Sequence, residues 1–273
     1  MNNNLIPTWY YRQFDADYSL DVPAKGYGGW IREMLPMESS RTALVVMHAW
    51  DCGKKSDYPG WYRAVEYIER ANEISENVFP ELLGKVRSKG MNVIHIADDS
   101  GYADGMEGHE MALELSNKYY KNKPVVFDMI TSEVYEYLNE FRKNHSFPGI
   151  DNIEDIAKGR SHKSFMKNAV PLPKEFIVTD SSQLHSICME LGINHLIYIG
   201  FAINWCLQYS PGNMNDMTAK GIICSTIKEA VTAVENKESA EYECHKEYAL
   251  WLTALKNGFV YELDDFMRFL DSI

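Results

Sequence analysis

Short apolar runs alternate with longer amphipathic segments along most of the chain. Parallel strands joined by crossover helices produce this alternation, so the pattern predicts an α/β fold. The runs lie at 43–47, 93–96, 124–127, 176–178, 196–199, 222–224 and 259–261. Most lack a polar residue at every second position, as strands covered on both faces do. Between them, Leu184, Ile187, Cys188 and Leu191 recur at helical spacing, with Asp180, Ser181 and Ser182 as cap candidates and Gly192 as a stop. A second stripe joins Val134, Tyr137, Leu138 and Phe141, and a third joins Cys244, Tyr248, Trp251, Leu252 and Leu255. Both predict helices that lay an apolar face on the sheet. A further helix is predicted over 79–87, with Pro80 in its first turn and Gly90 past its end.

Two regions break the alternation. Residues 1–41, rich in Tyr, Gly and Trp, are expected to form an N-terminal arm that packs on the body or on a neighbouring subunit, because their aromatics are costly to leave in water. Residues 145–172 are polar and read as an inserted loop, of the kind that covers sites. The remainder, 42–273, reads as one domain carrying that insertion.

Composition narrows the functions. The 273 residues are 45% hydrophobic and 24% charged, enough for a sizeable core, and the formal charge of -12 disfavours nucleic acid and anionic membranes as partners. Five cysteines without a paired spacing suggest reduced thiols, and no basic, apolar leader opens the chain, so a cytoplasmic location is expected.

In parallel sheets, ligands sit beyond the carboxyl ends of the strands. After the first buried run stand His48, Trp50, Asp51 and Cys52, and after the run at 196–199 stand Phe201, Ala202, Asn204, Trp205 and Cys206. Cys206 follows a Gly-started turn and is predicted to open a helix, where a thiol ionises more readily and acts as a nucleophile. A free cysteine packed between sheet and helix has the same spacing.

The segment Glu190-Leu-Gly-Ile-Asn-His-Leu-Ile-Tyr-Ile-Gly-Phe-Ala-Ile-Asn-Trp-Cys-Leu207 resembles the signature of the isochorismatase-like cysteine hydrolases, whose pattern is an apolar strand followed by Gly-Val-Ala-Thr-Asn-x-Cys-Val. Thr42-Ala-Leu-Val-Val-Met-His48 is similar to their first strand, and Met217-Thr-Ala-Lys-Gly221 continues the likeness, which covers most of the chain from Thr42 onward. The resemblance implies a three-layer αβα, doubly wound, mostly parallel sheet of Rossmann-like type. It also implies a Cys-Asp-Lys triad acting on C–N bonds, as in nicotinamidases and N-carbamoylsarcosine amidases. By position, Cys206 matches the nucleophile, the Phe201–Ala202 bond a cis peptide, and the amides of Ala202 and Cys206 an oxyanion hole.

The other two triad positions depart from the pattern. His48 stands where the family has its Asp. A histidine can deprotonate a cysteine, and Asp51 could orient or replace it. The family Lys aligns with Pro173, one residue from Lys174, which on a strand would face the opposite way. A shortened segment would instead bring Asp180 to that place. Metal binding in some relatives invites comparison with His95, Asp98, Asp99, Asp104 and His109, but their spacing matches no compact ligand motif, and neither a metal nor another cofactor is expected. Trp50, Asp51, Phe201 and Trp205 are the candidate substrate-binding residues, the two indoles as an aromatic wall or as core anchors.

The expected activity is hydrolysis of a small amide or related carbonyl compound through a Cys206 thioester. The alternative is a ligand-binding or assembly protein on the same scaffold with an altered triad. A small-molecule substrate and a homo-oligomer, dimer or tetramer, are the expected partners.

Overall fold

A computed structural model describes residues 5–120 and 131–273. Its strands are β1 (Leu5–Arg12), β2 (Gly29–Pro36), β3 (Thr42–Met47), β4 (Trp50–Asp51), β5 (Asn92–Ile96), β6 (Ser164–Phe165), β7 (Phe176–Val178), β8 (His195–Phe201), β9 (Ile223–Thr232) and β10 (Val260–Tyr261). Its α-helices are α1 (Pro59–Ala64), α2 (Ile68–Asn77), α3 (Phe79–Ser88), α4 (Glu107–Tyr119), α5 (Glu133–His145), α6 (Ile153–Arg160), α7 (Ser181–Leu191), α8 (Cys206–Tyr209), α9 (Met214–Ala219), α10 (Cys244–Lys256) and α11 (Leu263–Ser272).

Eight strands form the central sheet in the order β2-β1-β10-β9-β8-β3-β5-β7. From β10 to β7 every neighbouring pair is parallel, while β1 runs antiparallel to both β10 and β2. The wholly buried β3 shows why helices cover both faces. Leu44 and Val46 project into one layer with Phe79, Leu83 and Phe266, and Ala43, Val45 and Met47 project into the other with Leu184, Ile187 and Leu250. The architecture is the three-layer, doubly wound, mostly parallel αβα sheet.

The buried runs became strands wherever they are described; the run at 124–127 lies outside the described residues. The run at 222–224 marks only the start of a ten-residue strand, β9. Residues 5–12 and 29–36 of the arm form a hairpin that extends the sheet from β10. In α7 the Asp180 carboxylate accepts from the Ser182 and Gln183 amides at 2.7 and 2.8 Å, and Gly192 ends the helix at φ +66°. The third stripe forms a helix, α10, but the face it buries carries Ala249, Leu250 and Thr253, while of the predicted stripe Cys244 and Tyr248 are exposed and Trp251, Leu252 and Leu255 half-buried, because the apolar residues of this helix run around more than one face. The stripe at 134–141 also forms a helix, α5, but against expectation it covers no sheet face: none of its residues is buried. Periodicity specifies an amphipathic helix without specifying what its face meets. Among the described residues no helix is long and apolar enough to cross a membrane.

Candidate active site

Strands β3 and β8 are parallel neighbours, with Met47 opposite Gly200. Their carboxyl ends therefore release His48 and Phe201 side by side. Gly200 is dictated by this closeness. Its φ is +114°, and an added Cβ would lie 2.0 Å from the Met47 carbonyl oxygen. The Phe201–Ala202 peptide is cis. Beyond it, the Ile203 amide donates to the Thr232 carbonyl at 2.9 Å. The Asn204 side chain clasps Val234, donating to its carbonyl and accepting from its amide, each at 2.8 Å. The turn is thus tied to β9 and the segment following it before Cys206 begins α8.

His48 is buried and left-handed, φ +50°, a conformation that histidine adopts more readily than most residues. Its amide donates to the Ile96 carbonyl at 3.0 Å, fixing the residue between β3 and β5. The imidazole lies beside the Cys206 sulfur. Burial opposes ionisation of that thiol, but the bond and charge from His48, with hydrogen bonds from the Ser210 hydroxyl and the Ala202 amide, outweigh it and lower Cys206 to about 7. Burial instead pushes Cys52 up to about 11 and Cys188 and Cys224 up to about 12. Cys206 therefore differs chemically from the three other thiols inside the protein.

A cation also reaches this edge, from the insertion. The two-stranded ribbon of β4 and β6 sets Trp50 opposite Phe165 and Asp51 opposite Ser164. This places the preceding Lys163, only 7% exposed, against the Asp98 carboxylate. Its ammonium lies 4.8 Å from the centre of the Trp50 ring and 5.7 Å from that of Trp61. Asp98 stands two residues past β5, next to β3. Burial raises its pKa, but Lys163 and Ser100 bind the carboxylate and leave it below its ordinary value. Tyr102 lies within charge range of Asp98 and Cys206, with burial raising its phenol.

Lys174 occupies an exposed turn at φ +70°, before β7. Because β7 is parallel to β5, that turn is at the amino end of the sheet, opposite His48 and Cys206. Asp180 caps α7. Lys163, which sequence reasoning did not single out, is a buried lysine brought to the carboxyl edge. A lone lysine in a polar insertion has no periodicity to mark it; the one signal was the expectation that the insertion covers a site.

Other candidates divide similarly. Trp50 lines a narrow crevice of about 10 Å³ with His48, Tyr67, Met166 and Phe201. Phe201 is a buried residue whose ring stacks on Phe79 at 5.7 Å. Asp51 is exposed and accepts from the Gly53 amide at 2.7 Å. Trp205 is 43% exposed, meets Phe147 edge-on at 5.5 Å and lines an open groove with Tyr209, His245 and Tyr248. His95 and Asp99 are engaged by Glu175 at 2.9 Å and Arg160 at 2.8 Å, while Asp104 lies 3.9 Å from His109. Among the described residues, no three His, Cys, Asp or Glu side chains are grouped to hold a metal ion.

No protein-family model and no curated protein matches the chain. Solved structures do resemble it. A cysteine hydrolase from Pseudomonas syringae pv. phaseolicola has a TM-score of 0.48 at 13% identity, covering 87% of this chain and 95% of that one. An isochorismatase-like hydrolase from Alkaliphilus metalliredigens has a TM-score of 0.47 at 17% identity over 84% and 98% of the two chains. For an N-carbamoylsarcosine amidase from Thermoplasma acidophilum the values are 0.38, 15%, 82% and 97%. The chain is similar to isochorismatase-family cysteine hydrolases and to an amidase, at low identity.

Proposed function

We propose that the protein is a thiol hydrolase that cleaves the C–N bond of a small amide or related carbonyl compound. The observation that carries this reading is that β3 and β8, paired with Met47 opposite Gly200, bring His48 and the Cys206 turn together at their adjoining carboxyl ends, where the imidazole favours the Cys206 thiolate. His48 accepts the thiol proton as the sulfur attacks the carbonyl carbon. The amides of Ala202 and Cys206 hold the resulting oxyanion. Collapse breaks the C–N bond, and the imidazolium passes its proton to the departing nitrogen. Water then gives a proton to His48 and adds its oxygen to the thioester; the second collapse expels the thiolate and leaves the carboxylic acid.

Lys163, rather than Lys174, completes the polar shell in this reading. Paired with Asp98 over the Trp50 ring, it supplies a fixed cation at the site's edge without leaving a buried charge unbalanced. Trp50 and Trp205 contact the substrate, whereas Phe201 and Asp51 position the surrounding backbone.

Release of ammonia or amine from a panel of small amides tests the proposal. Cys206→Ala is expected to abolish turnover, and Cys206→Ser to reduce it by orders of magnitude. Full turnover by Cys206→Ala would overturn the mechanism.

A further inference from the structure

The N-terminal hairpin and α10 enclose a cavity of about 210 Å³ that the chemistry proposed at Cys206 does not use. It lies at the β2 end of the sheet, remote from β7 and from α4, which packs on β7. Trp9 of β1 and Trp30 of β2 form its walls, and Leu250 of α10 and Val260 of β10, both buried, form an apolar floor. The walls are held in place by their own contacts. The Trp9 indole N–H donates to Glu262 Oε1 at 3.1 Å, and Trp30 meets Tyr11 edge-on at 5.4 Å, with Tyr11 edge-on to Trp251 at 6.1 Å.

Three charged side chains also line the cavity, and they are not equivalent. Glu262 is taken by Trp9 and lies 3.9 Å from Arg32, whose guanidinium pairs with the buried Asp265. Lys228 of β9 and Glu247 of α10 are exposed, and among the described residues neither enters a side-chain hydrogen bond or an ion pair, with the other or with any neighbour. One cavity thus presents an uncommitted ammonium and an uncommitted carboxylate beside two indoles and an aliphatic floor.

We infer that this cavity binds a free amino acid with an apolar or aromatic side chain. The ligand's ammonium meets Glu247, its carboxylate meets Lys228, and its side chain lies between the indoles on Leu250 and Val260. A ligand carrying only a positive charge would be drawn to the indole faces and the carboxylates but opposed by Lys228, and one carrying only a negative charge would be opposed by Glu247 and Glu262. A zwitterion satisfies both signs at once. The volume is that of about seven liquid waters, which suits a single amino acid and is too small for a peptide.

Isothermal titration calorimetry on the full chain tests the inference, with L-phenylalanine and L-leucine as probes. Phenethylamine and 3-phenylpropionate, which keep the ring of phenylalanine and one of its two charges, are the comparison ligands. L-phenylalanine is expected to bind with a dissociation constant below about 1 mM, and each comparison ligand at least about tenfold more weakly. Glu247→Gln and Lys228→Met should each weaken L-phenylalanine about tenfold. Both positions are exposed, so the thermal midpoint without ligand should be nearly unchanged. Absence of binding by either amino acid at about 10 mM would overturn the inference. So would phenethylamine binding as tightly as L-phenylalanine with Lys228→Met without effect, which would mark a site for cations alone. Affinity unchanged in both variants would place the bound amino acid elsewhere and overturn it too. The titration needs no turnover, so it can fail while the hydrolase reading stands, and the reverse.

Discussion

Replacing His48 with Ala isolates the group that ionises Cys206. Ala retains a Cβ at φ +50°, so the backbone cost of the left-handed conformation is largely shared by the two proteins. What disappears is the imidazole bond and charge that, with Ser210 and the Ala202 amide, bring the thiol from its ordinary 9.0 to about 7 against burial. Without His48 the inflection should rise; a full return to the ordinary 9.0 would be two units, about 3 kcal/mol of imidazole–thiolate coupling. At pH 7 the thiolate fraction would fall about 50-fold. A thiolate of higher pKa is intrinsically more reactive, by about eightfold for two units, so the alkylation rate at pH 7 falls only about sixfold. The pH profile is therefore the sharper readout. Iodoacetamide labelling of Cys206 should be followed from pH 5 to 10 by peptide mass spectrometry, in a Cys244→Ser background because Cys244 is exposed. The wild type should show an inflection near 7 and the variant a clearly higher one. An unmoved inflection would refute the assignment of His48 as the thiol's partner.

Other substitutions test the frame and the lysine assignment. Glu175 accepts from Arg87 at 2.7 and 2.8 Å and pairs with His95 at 2.9 Å; despite its burial, these bonds lower its pKa to about 2. Its carboxylate contributes stability that is full above the ordinary 4.5 and lost as pH falls toward 2. Glu175→Gln should cost about 3 kcal/mol near neutral pH and flatten the acid limb of a denaturation series, and an unchanged limb would refute this. Gly200→Ala drives a Cβ into the Met47 carbonyl, so a thermal midpoint equal to wild type would refute the close approach of β3 and β8. Lys163→Met should lose most turnover while Lys174→Met keeps it, and the reverse order would restore Lys174 to the site.

The fold was largely legible because buried parallel strands are written as short uninterrupted apolar runs, and those at 43–47 and 196–199 are the two whose ends carry His48 and Cys206. The hairpin of β1 and β2 was less legible because its strands show mixed burial and many aromatics, which also suit a surface arm. The helix carrying Leu138 was readable as a helix, but its exposure was not, since the same stripe serves a sheet face or a second molecule. Within the site, sequence spacing carried Cys206, while Lys163 required β6 to pair with β4 across more than a hundred residues. Lys174 was attractive by count, yet parallel topology sends a residue before β7 to the far edge of the sheet.

Charge balance explains how a histidine can stand at the position where the resembling family has an acid. An acid beside the thiol would bring negative charge to the sulfur, and a free lysine would be needed to offset it when the thiolate forms. Here the lysine is already matched by Asp98, and the partner of the sulfur becomes positive as the sulfur becomes negative. In the proposed mechanism, proton transfer from Cys206 to His48 converts a neutral pair into an ion pair with no net change of charge in a poorly hydrated site. The cost of creating charge there is reduced by the mutual attraction of the two ions. Under that proposal His48 fits together with Asp98 on Lys163, because an unmatched lysine beside an imidazolium would disfavour the proton transfer proposed to activate Cys206.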